Sequence, residues 1–115
     1  MNSEDLLKAA LAAISDRHGQ ETVAYDMRGV SILADFYVIT SADSNRQLHA
    51  LANSLVEAMH KLDYTDYRIE GTRDSNWLLV DLGDVIVNIF TPDARAFYGL
   101  EQLWSQGKQL AVTED

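Results

Sequence analysis

The chain has 115 residues, no cysteine, and 18 acidic against 9 basic side chains, for a formal charge of −9. That length predicts one domain with one modest core, and the missing thiols exclude disulfides, a thiol nucleophile and a thiolate metal site. The scattered Lys and Arg argue against nucleic acid as the main partner, since phosphate backbones are held by clustered cations, and favour a basic protein partner instead.

No run approaches the ~20 apolar residues of a membrane span. Residues 1–5 are acidic, unlike a targeting segment, so a cytoplasmic setting is expected. In chain order, Ser3 is placed as an N-cap with Glu4 and Asp5 in the first turn. Leu6, Leu7, Ala10, Leu11 and Ile14 then recur at helical spacing, predicting a helix over about 4–17. Gly19 is the expected stop, with His18 beside it in a capping role. A strand follows over 21–27 and turns at Arg28-Gly29. The run 35–41 (Asp35-Phe36-Tyr37-Val38-Ile39-Thr40-Ser41) is almost continuously apolar, as a central strand buried on both faces would be.

Ser44 and Gln47 have the S-x-x-Q spacing of a capping box. They open a helix over about 45–62 whose stripe is Leu48, Leu51, Ala52, Leu55, Met59 and Leu62. His49 and His60, eleven apart on it, lack the spacing of a two-His metal site. A short strand at 67–70 ends at Gly71. Residues 77–90 then form two apolar runs around Gly83-Asp84, the pattern of a two-residue β-hairpin. With that turn, Leu78, Val80, Leu82, Val85, Val87 and Ile89 share one aliphatic face. Trp77, Leu79, Asp81, Ile86, Asn88 and Phe90 share the other, which is either covered by a helix or offered to a partner. Thr91-Pro92-Asp93 opens a short helix, weakened at Gly99 and extended to about Trp104. The expectation is an α/β (α+β) domain over 1–104, ordered α-β-β-α-β-β-β-α around a five-stranded mixed sheet. The remainder, 105–115, reads as a polar, mobile tail.

No constellation for catalysis emerges. There is no G-x-S-x-G, no phosphate-binding glycine motif, and no D-x-D, D-x-E or E-x-D pair to hold two cations. No cofactor or metal is expected. The exposed aromatic and aliphatic material near the hairpin points to a protein interface instead.

Taken together, several stretches carry a family likeness. They are Ala34-Asp35-Phe36-Tyr37-Val38-Ile39, Ser44-x-Arg46-Gln47, Glu70-Gly71, the hairpin from Trp77 to Val87, and Arg95-x-Phe97-Tyr98-x-Leu100-Glu101-x-Leu103-Trp104. The chain resembles the ribosomal silencing factor family (RsfS, also called Iojap or YbeB), with Asn88 where that family usually has His. The resemblance implies a nucleotidyltransferase-like fold without its catalytic carboxylates, and no enzymatic activity. It also implies binding to the large ribosomal subunit through its ribosomal protein fourteen, a block to subunit joining when nutrients are short, and a homodimer in isolation. Trp77, Asp81, Leu82, Gly83, Asp84, Tyr98, Leu100, Glu101 and Trp104 are the residues expected to meet the ribosomal partner. The alternatives are a small nucleotide-handling enzyme, which stabilisation by nucleoside triphosphate and magnesium would reveal, and a generic dimeric adaptor.

Overall fold

The computed structural model describes residues 1–72 and 74–112. Arg73, in the loop before the hairpin, and residues 113–115, the end of the expected tail, lie outside the described residues.

The elements in order are α1 (Ser3–Asp16), β1 (Gln20–Asp26), β2 (Phe36–Ser41), α2 (Asn45–Lys61), β3 (Arg68–Glu70), β4 (Trp77–Asp81), β5 (Val85–Phe90), α3 (Pro92–Tyr98), α4 (Leu100–Leu103) and β6 (Lys108–Leu110). The sheet runs β3-β4-β5-β2-β1-β6. Among the described residues only β2 and β5 are parallel, and the other neighbouring pairs are antiparallel. The chain leaves β2, crosses through α2 and lands three positions away at β3, leaving room for two strands between. The hairpin β4–β5 then returns to fill the gap.

The sheet therefore has six strands, not five. The sixth comes from the stretch read as tail, and pairs Leu110 with Ala24 and Lys108 with Asp26 along the open edge of β1. Gly107 makes the approach possible, because a Cβ there would lie 2.3 Å from Met27 Sδ and 3.0 Å from the Asp26 carbonyl oxygen. The C-terminal helix is also broken in two, at Gly99, whose φ of 59° is left-handed.

The hairpin register is the predicted one. Val80 faces Val87 and Leu78 faces Ile89, and the Leu82 amide donates to the Val85 carbonyl at 2.9 Å. The six aliphatic side chains of that face are buried with Phe36 and Val38 of β2 against Leu6, Ala10 and Ile14 of α1 and Leu48, Leu51, Leu55 and Met59 of α2. All six positions of β2 are buried, as its unbroken apolar run requires. Leu62, expected on the α2 stripe, is the helix C-cap and lies half exposed.

Helix ends differ from expectation in two places. The N-cap of α1 is Asn2, whose Oδ1 accepts from the Asp5 amide at 2.8 Å; Ser3 is the first helical residue. At the other end His18, not Gly19, takes the left-handed conformation, with φ 59°. Its capping is done by the backbone, the His18 amide donating to the Ser15 carbonyl at 3.0 Å. Gly19 is needed for space: a Cβ would lie 2.4 Å from Ile14 Cγ2 and 2.6 Å from Thr40 Oγ1. The capping box of α2 is modified as well. Ser44 Oγ accepts from the Gln47 amide at 3.1 Å, while Gln47 Oε1 turns to the Asp43 amide and its Nε2 to the carbonyls of Arg17 and His18. One glutamine thus ties the start of α2 to the end of α1.

Gly19→Ala should destabilise the fold by about 1–3 kcal/mol, because Ile14 and Thr40 are both buried and cannot withdraw. A urea titration reads this as a lower midpoint with an unchanged slope.

Candidate functional site

The second face of the sheet carries a thinner cover than the first. At its α3 end, Trp77 stacks on Phe90 (centroids 5.0 Å, planes at 24°) and meets Tyr98 at 4.8 Å. Its indole nitrogen donates to Asn88 Oδ1 at 2.9 Å. Phe97 stands edge-on to Tyr98 at 5.2 Å. Successive helix positions point about 100° apart, so both rings cannot face the sheet; Phe97 is 83% exposed and Tyr98 48%. An open groove of about 550 Å³ runs here, lined by Ser75, Asn76, Trp77, Asp93, Ala94, Phe97 and Tyr98. Among the described residues, Asp93 is the one formally charged side chain that lines it.

Leu100 and Trp104 belong to the cover. Trp104 packs against Tyr37 (4.4 Å) and Tyr25 (6.2 Å), and Leu100 joins the same cluster with Ile39 and Phe90. Glu101 is already committed to an ion pair, accepting from Arg95 Nε at 2.8 Å, while Arg95 Nη1 donates to Ser41 Oγ at 2.9 Å. This pair clamps α3 to α4 across Gly99 and fastens both to the end of β2.

The hairpin turn lies at the other end of β4, roughly 14 Å away at the usual strand rise. Asp81 Oδ1 accepts from the Gly83 amide at 2.8 Å, and Oδ2 from Arg68 Nη2 at 3.4 Å. Gly83 has φ 87°, a conformation that costs glycine nothing. The Asp84 carbonyl accepts from the amides of Asp35 and Phe36, and the Tyr64 hydroxyl donates to the Leu82 carbonyl. Asp66, Asp81 and Asp84 surround that tyrosine.

The nine residues expected to meet a partner thus fall into separate groups. Trp77 and Tyr98 form the groove; Asp81, Gly83 and Asp84 form an acidic tip; Leu100, Glu101 and Trp104 are the half-buried lid between β1 and α3. Leu82 is not on this surface. Its side chain is 0% exposed on the aliphatic face and both its backbone groups are taken, as its parity in the strand demands. Phe97, Asp93 and Asn76 were missed, although two adjacent aromatics after a Thr-Pro helix start already imply that one must face out. A second missed feature is the β1–β2 loop, where Val30, Ile32 and Leu33 are exposed. Three apolar residues between a glycine turn and a strand were its only signal. Among the described residues no group of three or more His, Asp or Glu side chains is arranged to hold a metal, and no helix is long and apolar enough to cross a membrane.

A family model described as ribosomal silencing factor during starvation matches residues 1–115. The chain belongs to the ribosomal silencing factor family. It is 38% identical to the ribosomal silencing factors of Halalkalibacterium halodurans and Bacillus subtilis over 104 residues, which is 90% of this chain and 89% and 88% of theirs. A mouse protein named mitochondrial assembly of ribosomal large subunit protein 1 is 36% identical over 74 residues, 62% of this chain and 32% of its own. Crystal structures of proteins from Bacillus halodurans (TM-score 0.83, 35% identity, 95% of this chain and 99% of that one) and Chromobacterium violaceum (0.86, 32%, 98% and 93%) share the fold. The family and the names of these relatives support a regulatory role in translation, at the ribosome.

Burial, and the charges of Asp66, Asp84 and Asp81, push the Tyr64 phenol above its ordinary 10.0. A raised folded value means that its contribution to stability is complete below the unfolded value and is lost as pH rises through the folded one. Tyr64→Phe should therefore lower the urea midpoint at pH 8, where the hydroxyl bonds Leu82, and flatten the further fall between pH 10 and 12. Parallel titrations of both proteins across that range measure it.

Proposed function

We propose that this chain binds the large ribosomal subunit through its ribosomal protein fourteen and, seated there, keeps the small subunit from joining. Translation is repressed in this way when nutrients are short, in the cytoplasm. The mechanism is occlusion, which needs a surface and no chemistry. The observation that carries the reading is the aromatic groove of Trp77, Phe97 and Tyr98, open to solvent beside Asp93 on a chain of charge −9. Aromatic anchors of this kind dominate binding energy where they are desolvated, and a negative field speeds encounter with a basic ribosomal protein. The names of the silencing-factor relatives, and of the mouse protein concerned with large-subunit assembly, support the ribosome and its large subunit as the partner. A homodimer of the free protein belongs to the same proposal, as the family likeness implies.

Within this reading Trp77 is the anchor, Phe97 and Tyr98 the groove wall, and Asp81 and Asp84 the steering charges. Glu101, held by Arg95, and Leu100 and Trp104, packed on the sheet, keep the surface in shape and contribute at their exposed edges.

Co-sedimentation with purified large subunits is the direct test. Trp77→Ala should weaken binding about a hundredfold, the loss typical of a central anchor. Phe97→Ser, at a mostly exposed ring, should weaken it while leaving the urea midpoint unchanged, which separates lost contact from lost fold. Unaltered sedimentation of both variants overturns the assignment. Replacing Asp81 and Asp84 by Asn should mainly slow association and flatten its salt dependence, leaving dissociation nearly unchanged; stopped-flow mixing at several salt concentrations reads both rates.

A further inference from the structure

The Trp77 indole is held on three sides, and one of them is polar. Phe90 stacks on it, Tyr98 tilts against it, and its N–H donates to Asn88 Oδ1 at 2.9 Å. Asn88 lies in β5 between Ile39 of β2 and Leu79 of β4, so ladders on both sides fix its backbone. It is 1% exposed. An indole nitrogen can only donate, so the amide must turn its oxygen toward Trp77. Its Nδ2 is thereby directed elsewhere, and it has no hydrogen-bond partner among the described residues.

A buried NH2 without an acceptor is destabilising, and an aliphatic side chain beside Ile39 and Leu79 would suit the isolated fold better. Asparagine here is a poor choice for stability alone and a good one for holding an indole. Its oxygen sits on a rigid central strand, while Trp77 begins the strand next to it and lines the open groove.

We propose that Asn88 is a positioning residue for the docking surface: it sets the tilt of the Trp77 ring so that the groove is presented to the large subunit already ordered. The proposal rests on the reading of the groove as the subunit-docking site. Without Oδ1, the ring is free to turn about its Cβ–Cγ bond between Phe90 and Tyr98, and the partner must order it on binding, which costs affinity without any contact being removed.

The test uses Asn88→Leu, Asn88→His, Trp77→Phe and the double variant Trp77→Phe/Asn88→Leu of the full chain. Three quantities are read: the urea midpoint, the indole N–H signals in nitrogen-15 spectra, and co-sedimentation with purified large subunits. The chain has two tryptophans, so Trp77→Phe assigns the signals at once. Asn88→Leu should move the Trp77 indole signal and speed its exchange with solvent, leave that of Trp104 in place, and weaken binding about tenfold with no fall in the urea midpoint. Asn88→His, whose neutral ring offers one acceptor nitrogen, should restore the signal and most of the binding. On the Trp77→Phe background, Asn88→Leu should make no further difference to binding.

An indole signal indifferent to Asn88→Leu overturns the proposal. So does an equal loss of binding on both backgrounds, or a loss that simply follows a falling midpoint. Failure of the docking reading looks different: the unmutated protein then does not sediment with large subunits, and the indole signal alone reports the hold of Asn88 on Trp77.

Discussion

Two residues, Gly83 and Asp84, close the β4–β5 hairpin, and that count decides which way every side chain from Trp77 to Phe90 points. The period of a strand is two, so a slip of one residue would send Val80 and Val87 to the outer face and Trp77 and Asp81 into the core. The turn is held against such a slip from several directions. Asp81 binds the Gly83 amide, Tyr64 holds the Leu82 carbonyl, and the Asp84 carbonyl takes the amides that begin β2. The last of these couples the hairpin to the parallel pair of β2 and β5. The face given to α1 and α2 and the more open second face therefore follow from one tight turn.

The two faces are then treated differently. One carries α1 and α2 and is sealed. The other carries two short helices, which Gly99 separates and the Arg95–Glu101 pair draws together again. They reach far enough to bury Phe90 and Tyr37 but leave Phe97 and the outer edge of Trp77 in solvent. The occlusion proposed for this chain would use this asymmetry, because the same sheet must be stable on one side and accessible on the other. The −9 charge adds a long-range preference for a basic partner. The acidic tip and the aromatic groove lie at opposite ends of β4, which suits the one to steering and the other to anchoring.

The fold was largely legible because its strongest patterns are local. The apolar period of α2, the unbroken run of β2 and the Gly-Asp turn each specify an element without reference to the rest. The likeness to ribosomal silencing factors ran through those same segments, and the match of the family over residues 1–115 agrees with it. Where expectation failed, the deciding group lay far away in sequence or within a residue of the one chosen. Asn2 outcompeted Ser3 as the cap of α1. Gly19, chosen for its freedom of φ, is required by Thr40, twenty-one residues later. β6 has three residues and no alternation to speak of; it exists because β1 offers an unpaired edge and Gly107 lets the chain reach it.

For the surface, the sequence by itself determined parity: which of the hairpin side chains lie together, and that the set with Trp77 and Asp81 is not a uniform core. It could not say how far the C-terminal helices would spread over that set, because their extent depends on the break at Gly99 and on the hold of Arg95 on Ser41, fifty-four residues back. Tertiary structure alone moved Leu100 and Trp104 into the cover, kept Tyr98 at its margin, put Phe97 outside it, and closed Asn88 beneath Trp77 with half of its amide unspent. Parity is a property of a strand and travels with the local chain; coverage is a property of what comes to lie on the strand, and only the folded chain decides it.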